Sequence, residues 1–467
     1  MSYDAGRLMV ASVSSGSGKT MIASALMRLL RRRGLAVRPI KAGPDYLDSF
    51  FHMLAVFGRM SSRHASQTSR MTGYARHVDL WAMHPQHVAS LLAEMEGGGD
   101  KAGPAMWTVA EGVMGLFDEG LGHKGTSTAD IARLFSMPIL LVVHGGRMGA
   151  SIGALVQGFC QYRDDIEVAG VIVNGVSTRR HRQLIKDALD AIGVVIYGFV
   201  PRSDDMVFPS KRLGLAPVLG SRDRLIHANR RLDAMADHIE EHVDVDGLMA
   251  CMAGYGGNGR RGAKTLAAYR PLFAGSHVSV AYDEAFCFVY DWMVAHWKRY
   301  GRVDFFSPLR HEVPSERADV IFLPGGYPED YALSLSQNRS FFSALGRASQ
   351  RGAFIYGECG GFMVLGKGLI DGDGKEHRMA DMLPVVTSMR EPSLTLGYRR
   401  VVLACDTPLG ARGVVWRGHE FHYGRIVTMG DVPPLFHARG LAYGMAMGRV
   451  AGSYIHVIDR ERDSVTP

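Results

Sequence analysis

The stretch Ser14-Ser15-Gly16-Ser17-Gly18-Lys19-Thr20 joins an apolar run, Leu8-Met9-Val10-Ala11, to a segment with apolar residues at helical spacing. That helical segment spans residues 21–30. Glycines in such a loop let the backbone wrap a phosphate chain, and amides at the start of a helix attract the anion. The sequence therefore predicts a nucleotide site on a strand–loop–helix unit.

Each residue type in this loop suits a phosphate ligand. Lys19 provides a mobile charge for the outer phosphates, and Thr20 provides a hydroxyl for Mg²⁺. Val13 stands where the usual pattern has its first glycine, so the alternative is a Ser/Gly turn with a chance Gly-Lys-Thr. The strand before and the helix after favour ATP, and the predicted ATP-binding residues are Ser15, Gly16, Ser17, Gly18, Lys19 and Thr20.

Length and charge limit the class of protein. The chain has 467 residues, with 47% hydrophobic and 21% charged residues, which is typical of a globular protein of two or three domains. Its formal charge of +7 suits an acidic ligand such as a nucleotide or a polycarboxylate. The basic residues are scattered, and Arg31-Arg32-Arg33 ends a predicted helix, so nucleic acid is not expected as a partner.

The cysteines indicate a reducing environment. There are 5, an odd number without a Cys-x-x-Cys pair, so neither a disulfide framework nor a structural zinc site is expected. No apolar run approaches the roughly 18 residues of a membrane span, and the N-terminus does not resemble a signal peptide. We therefore expect a cytoplasmic protein without a membrane partner.

Polar residues follow two further predicted strands of the first half. The strand ending at Lys41 leads into the turn-rich loop 42–48, and the strand starting at Trp107 ends at Glu111. Ligands bind at the carboxyl ends of strands in open α/β sheets. Predicted metal ligands are Thr20, Asp45 and Glu111, and predicted substrate contacts are Lys41, Asp45, Tyr46 and Leu47. For Asp45, the alternative is a simple turn residue.

Strands alternate with helices along both halves, which predicts two doubly wound α/β domains. Residues 57–77 are polar and poorly periodic, and we expect a long loop or lid there. The Gly-rich run 254–259 marks a change in composition. The predicted division is an ATP-binding domain at 1–244, a linker at 245–275 and a second domain at 276–467.

Cys359 is the candidate nucleophile of the second domain. It lies in Gly357-Glu358-Cys359-Gly360-Gly361, a predicted strand-to-helix turn that would expose the sulfur at a helix N-terminus and lower its pKa. Gly325 and Gly326 end another strand, and their amides are the predicted oxyanion hole. The alternative is that Cys359 is a small buried residue.

A thiol nucleophile needs a base, and residue patterns alone leave several histidines open. Two of them lie in the strand-like run 418–423, and another lies in 453–456. The candidates are His377, His419, His422, His437 and His456.

Several motifs along the whole chain, in order, resemble those of the cobyrinic/hydrogenobyrinic acid a,c-diamide synthases of cobalamin biosynthesis. The hydrogenobyrinic branch fits best. The matching runs are Ser-Ser-Gly-Ser-Gly-Lys-Thr (14–20), Lys-Ala-Gly-Pro-Asp-Tyr (41–46), Glu-Gly-Val-Met-Gly-Leu-Phe-Asp (111–118), Asp-Glu-Ala-Phe-Cys-Phe (283–288), Pro-Gly-Gly-Tyr-Pro-Glu (324–329), Gly-Glu-Cys-Gly-Gly (357–361), Gly-His-Glu-Phe-His-Tyr (418–423) and Ser-Tyr-Ile-His (453–456).

The resemblance implies a dethiobiotin-synthetase-like ATP domain fused to a class I glutamine amidotransferase domain. It implies Cys359 as nucleophile, His456 as its base, and ammonia passing between the two sites. Most class I amidotransferases have an acid two residues after the histidine, where this chain has Ile458. A Cys–His dyad is therefore expected. His144 also departs from the family, which tends to have aspartate there.

The resemblance implies ATP- and glutamine-dependent amidation of the a and c acetate carboxylates of a tetrapyrrole, with Mg²⁺ and through an acyl phosphate. A homodimer is a further expectation. Three alternatives stay open at this point: a P-loop switch ATPase, a cysteine hydrolase with a vestigial P-loop, and an amidotransferase for another tetrapyrrole or corrinoid.

Overall fold

A seven-stranded parallel sheet forms the N-terminal half. The computed structural model describes residues 5–58, 76–95, 106–120, 123–204, 222–255 and 272–461. The strands of this sheet are β1 (Gly6–Ser12), β2 (Val37–Ala42), β3 (Arg76–Val78), β4 (Trp107–Glu111), β5 (Ile139–His144), β6 (Val168–Asn174) and β7 (Ile196–Val200). Their order is β3-β2-β4-β1-β5-β6-β7, and every pairing is parallel. Every residue of β4 is buried, as expected of a strand covered on both faces.

Helices cover this sheet, and the first follows the glycine-rich loop directly. They are α1 (Lys19–Arg32), α2 (Tyr46–Phe57), α3 (Pro85–Met95), α4 (Thr128–Leu134), α5 (Ser151–Gln161), α6 (Arg179–Asp190), α7 (Arg222–His242) and α8 (Val245–Gly254). Ser127 and Asp130 form a capping box that starts α4. Helix α8 falls within the predicted linker, and its Leu248 and Met252 are buried with the N-terminal core.

A second, six-stranded sheet forms the C-terminal half. Its strands are β8 (His277–Ala281), β9 (Arg302–Phe306), β10 (Val320–Leu323), β11 (Phe354–Glu358), β20 (Met445–Met447) and β21 (Val450–Ser453), in the order β20-β21-β11-β10-β8-β9. The edge strand β20 is antiparallel and the other pairings are parallel. The helices here are α9 (Asp291–Tyr300), α10 (Ala332–Gln337), α11 (Arg339–Gln350) and α12 (Gly360–Leu365).

Two smaller sheets complete the C-terminal half. One contains β12 (Gly368–Ile370), β13 (Glu376–Arg378), β14 (Val385–Ser388) and β17 (Arg425–Met429). The other is antiparallel and contains β15 (Thr395–Leu403), β16 (Val415–His422), β18 (Phe436–Ala438), β19 (Leu441–Tyr443) and β22 (Ile455–Arg460). The chain leaves the large parallel sheet after β21 and enters the antiparallel sheet at β22, with only Tyr454 between them.

The two halves pack directly on each other. The Tyr398 hydroxyl donates to the Asp79 carboxylate at 2.7 Å, and the Tyr290 hydroxyl donates to the Pro44 carbonyl at 3.2 Å. The ring of Tyr46 stacks on Tyr290 with centroids 4.2 Å apart. The loop that follows β2 is therefore in contact with the second domain.

Two sequence expectations can be compared directly with the backbone. Residues 59–75 of the predicted loop lie outside the described part of the chain. The prediction that the loop extends through residue 77 is wrong, because Arg76–Val78 form β3 and pair with β2. Across the described ranges, we find no helix with the length and apolarity needed to cross a bilayer.

Candidate functional site

The glycine-rich loop has the backbone shape that a phosphate site requires. Gly16 and Gly18 have φ of 81° and 92°, in the left-handed region that favours glycine. Lys19 begins α1, and its Nζ donates to the Met114 carbonyl at 2.8 Å. Burial lowers the pKa of Lys19. The loop that turns out of β4 therefore holds the lysine in place at the mouth of the phosphate loop.

Sequence reasoning missed one residue that supports this loop. Asn174 ends β6, and its side-chain amide donates to the Ser17 carbonyl at 3.0 Å. A Cβ on Gly18 would lie 2.3 Å from Asn174 Nδ2. The sequence signal was an asparagine at the carboxyl end of a buried strand, where ligand-binding residues collect.

Glu111 is the centre of a buried polar cluster beside the loop. Its Oε1 accepts from Thr20 Oγ1 at 2.6 Å and lies 3.1 Å from Lys41 Nζ. Its Oε2 lies 2.7 Å from His52 Nε2. Burial alone would raise the pKa of Glu111, but Lys41 and His52 outweigh it and hold the pKa below its usual range. Thr20 and Glu111, two of the three predicted metal ligands, therefore lie beside Lys41, a predicted substrate contact, and these roles stay predictions.

Asp48 and His52 join this cluster but were not predicted as site residues. Asp48 pairs with Lys41 at 2.5 Å. Burial and the charge of Glu111 raise the pKa of Asp48 to about 6. Both residues lie on α2, four positions apart. This helical spacing was the signal that the sequence offered for them.

Asp45 and Tyr46 lie where the first domain meets the second. The backbone amide of Asp48 donates to Asp45 Oδ1 at 3.3 Å, so Asp45 acts as a cap at the start of α2. Tyr46 is 9% exposed and stacks on Phe288 and Tyr290 of the second domain. Leu47 belongs to α2, and its side chain lies outside the described part. His144 is the last residue of β5, and its side chain is exposed.

Cys359 occupies a sharp turn between β11 and α12, as predicted. It is a non-glycine residue with φ of 50° and ψ of −109°. Its amide donates to the Ser453 carbonyl at 2.8 Å, which anchors the turn to β21. Strained backbone of this kind is concentrated at functional sites.

The prediction that the turn lowers the thiol pKa is wrong. Burial raises the pKa of Cys359, and the charge of Glu329 raises it further. The Gly360 amide acts in the opposite direction and is outweighed. Burial therefore favours the protonated thiol, and a thiol nucleophile of this kind needs a base.

Gly325 lies against both Cys359 and His456. A Cβ on Gly325 would lie 2.6 Å from His456 Cε1 and 3.2 Å from the Cβ of Cys359. A Cβ on Gly360 would lie 3.1 Å from the Gly326 nitrogen, so the amides of Gly326 and Gly360 are neighbours. The amide after a nucleophile commonly serves an oxyanion hole. Gly360 is thus a candidate that sequence reasoning missed.

Comparison with known proteins agrees with this two-site architecture. The family described as "CobQ/CobB/MinD/ParA nucleotide binding domain" matches residues 8–213, and the family described as "CobB/CobQ-like glutamine amidotransferase domain" matches residues 277–463. A hydrogenobyrinate a,c-diamide synthase of Brucella abortus is 39% identical, covering 97% of this chain and 98% of that protein. The chain belongs to the hydrogenobyrinate a,c-diamide synthase family. Other synthases of that name are similar too, from Rhizobium meliloti (39% identical, 97% of this chain, 99% of that one) and Mesorhizobium japonicum (36%, 97% and 98%).

Membership in this synthase family confirms the predicted fold class, a P-loop α/β domain followed by a glutamine amidotransferase domain. Among the candidate bases, His377 lies on β13 and pairs with Asp371 at 2.7 Å. His422 stacks on Tyr454. His419 stacks on His456 with centroids 4.9 Å apart. The choice of His456 as base stays a prediction.

Replacement of Gly325 by alanine tests the close packing of this synthase's second site. The added methyl would overlap His456 Cε1, so the ring must move away from the thiol. A displacement of about 1 Å can cost roughly 10² in rate, and we expect glutamine hydrolysis to fall by that order. Glutamate release measures it.

Gly346→Ala is the matched control, because a Cβ there would meet nothing within 4 Å in helix α11. That variant should hydrolyse glutamine like the unmodified protein. Unchanged hydrolysis by Gly325→Ala would contradict the assigned geometry.

Proposed function

We propose that this protein catalyses the ATP- and glutamine-dependent amidation of the a and c acetate side chains of hydrogenobyrinic acid. The full-length match to synthases of that name carries the proposal. The two sites support it, because amide formation needs an activated carboxylate and a source of ammonia. The positive formal charge of +7 also suits a polycarboxylate substrate.

The N-terminal site would activate the carboxylate. In this proposal, ATP lies along residues 15–20, and the acetate oxygen attacks the terminal phosphorus to form an acyl phosphate. Lys19 and the loop amides then balance the charge that develops on the phosphate oxygens. ADP leaves, and the acyl phosphate is ready for attack by ammonia.

The oxygen-rich edge beside this loop suits Mg²⁺. The Thr20 hydroxyl and Glu111 carboxylate lie 2.6 Å apart, and hard oxygen ligands are those that Mg²⁺ prefers. Thr20, Asp45 and Glu111 would hold the ion, which supplies charge neutralisation on the phosphates when bound. The unpredicted Asp48 adds a carboxylate to the same edge.

The substrate would enter at the loop after β2. Lys41 is a buried cation, and although burial lowers its pKa, Asp48 and Glu111 outweigh that and raise it. It therefore stays charged and can attract a carboxylate. Asp45, Tyr46 and Leu47 follow on the same loop and are the proposed remaining contacts.

The C-terminal site would supply ammonia. His456 takes the proton of Cys359, and the sulfur attacks the side-chain carbonyl of glutamine to form a thioester. The Gly325, Gly326 and Gly360 amides are the proposed donors to the oxyanion. Ammonia leaves with a proton from His456, and water then releases glutamate.

Contacts between the two domains support direct transfer of ammonia. Tyr46, on the proposed substrate loop, lies 5.4 Å from the ring of His456 measured between centroids. Its other ring contacts are His77, Phe288, Tyr290 and His419. A route lined by these aromatic rings would favour neutral ammonia, and only neutral ammonia can attack the acyl phosphate.

A panel of tetrapyrroles tests the proposed substrate. Hydrogenobyrinic acid, its cobalt form and an unrelated tetrapyrrole polycarboxylate would each be incubated with ATP, Mg²⁺ and glutamine, and the products analysed by mass spectrometry. The proposal predicts a diamide from hydrogenobyrinic acid that requires ATP. If only another tetrapyrrole of the panel were amidated, the result would favour an amidotransferase that acts on that tetrapyrrole.

A further inference from the structure

The carboxylate that faces His456 comes from an unexpected place in the chain. Two residues after His456 stands Ile458, which is buried and apolar. Glu358, immediately before the nucleophile, has its Oε2 3.5 Å from His456 Nδ1. Both side chains are 1% exposed.

Fixed donors hold this carboxylate in one orientation. The Tyr356 hydroxyl donates to Glu358 Oε1 at 3.0 Å, and the Val457 amide donates to the same oxygen at 3.1 Å. Both donors approach Oε1, so Oε2 is left to face the imidazole. Val457 directly follows His456, so strand β22 places the ring and this amide against the same carboxylate.

The other neighbours of His456 do not provide a carboxylate for Nδ1. Among the described residues, Nδ1 lacks a hydrogen-bond partner of good geometry. The rings of His419, Tyr46 and Phe288 pack around it. The 3.5 Å separation between Glu358 Oε2 and His456 Nδ1 is within the range of an ion pair.

We propose that Glu358 is the positioning carboxylate of the glutaminase site, completing a Cys359–His456–Glu358 triad. The inference rests on the proposed glutaminase function. In this triad, His456 Nδ1–H would donate to Glu358, and Nε2 would accept the Cys359 proton. When the sulfur–carbon bond forms, Glu358 balances the imidazolium, which then gives its proton to the departing ammonia as the carbon–nitrogen bond breaks.

The nucleophile and the acid are therefore consecutive residues. Strand β11 places Tyr356 and Glu358 on one face, and the turn at Cys359 directs the sulfur elsewhere. One short segment, Tyr356 to Gly360, would then supply the acid's support, the acid, the nucleophile and an oxyanion donor.

Glu358→Gln tests the proposal because it keeps size and removes charge. We expect kcat/KM for glutamine hydrolysis to fall by about 10²–10⁴-fold, with ammonia-dependent synthesis unchanged. The acid limb of the kcat/KM profile should move to lower pH, because an imidazolium without its carboxylate loses its proton more readily. The other titratable groups near this site are Cys359, His419, Tyr46, Glu329 and Glu420, and all are retained in the variant.

Asp371→Asn is the matched control. Asp371 Oδ2 lies 2.7 Å from His377 Nε2, so it is a carboxylate–histidine pair at a histidine other than His456. Its acid limb should stay in place. A Glu358→Gln protein with normal hydrolysis and an unmoved acid limb would overturn the proposal. Loss of ammonia-dependent synthesis to the same extent as glutamine hydrolysis would also overturn the proposal, because it would indicate that Glu358 has a structural role.

The unmodified protein provides a second test that does not depend on a variant folding. Nitrogen chemical shifts of the His456 ring should show the neutral tautomer protonated at Nδ1. The opposite tautomer would overturn the assignment. If the unmodified protein did not hydrolyse glutamine, the proposed function would fail, and the tautomer would still report on Glu358 separately.

Discussion

Cys359→Ala is expected to abolish amidation from glutamine and to leave amidation from concentrated ammonium salts. The sulfur is the proposed attacking atom, and a methyl group cannot form the thioester. External ammonia would bypass that step and meet the proposed acyl phosphate at the N-terminal site. Diamide formation from each nitrogen source, measured by mass spectrometry, tests this.

Cys287→Ala is the matched control for the thiol. Burial raises the pKa of Cys287 well above its ordinary value, and the charge of Asp283 raises it further. Cys287 is not on a strand-to-helix turn, and its replacement should leave glutamine use intact. Continued use of glutamine by Cys359→Ala would refute the amidotransferase mechanism.

Lys19→Ala is expected to remove amidation from both nitrogen sources while glutamine hydrolysis persists. The ammonium group lies at the phosphate loop, held by the Met114 carbonyl and by Ser12 Oγ at 3.2 Å. For comparison, an arginine placed on the transferring phosphate is worth about 10³–10⁵ in kcat. We therefore expect synthesis to fall by at least the lower figure.

Lys186→Ala is the matched control, because it removes a lysine that lies outside the phosphate loop. Lys186 is on the exposed face of α6 and pairs with Asp190 one turn away, and its removal should leave synthesis unchanged. Normal synthesis by Lys19→Ala, from glutamine or ammonium, would exclude this loop as the ATP site.

Local sequence patterns were sufficient to predict the parts of the fold that depend on residues close together in the chain. The loop 14–20 could be located because strand, glycines, lysine and helix follow one another directly. Strands such as β6, Val168–Asn174, could be located because burial on both faces requires a continuous apolar run. The turn at Cys359 was predictable for the same reason, since glycines surround it.

The remainder depends on contacts between distant residues. Glu358 was visible beside the nucleophile, but its approach to His456 spans almost 100 positions, as the bond from Val457 to Glu358 Oε1 illustrates. The thiol pKa was predicted with the wrong sign because a sequence shows the helix terminus and not the burial. Strand β17 is exposed throughout, so it lacks the alternation that would have identified it.

The pairing of Asp48 and His52 with the Glu111 cluster was missed for a related reason. Helical spacing placed the two residues on one face of α2, but nothing local indicated that this face meets the end of β4. In the same way, the pairing of Asp79 with Tyr398 joins the two domains across more than 300 residues. Such contacts follow from the packed fold and not from a motif.

We propose that nitrogen released at Cys359 becomes the amide made at the phosphate loop of the same chain. The most direct test supplies hydrogenobyrinic acid, ATP and Mg²⁺ with glutamine carrying a heavy-nitrogen amide, in the presence of unlabelled ammonium. We predict a diamide in which both new amides carry the heavy isotope. A diamide containing only unlabelled nitrogen, or no amidation of hydrogenobyrinic acid, would contradict it.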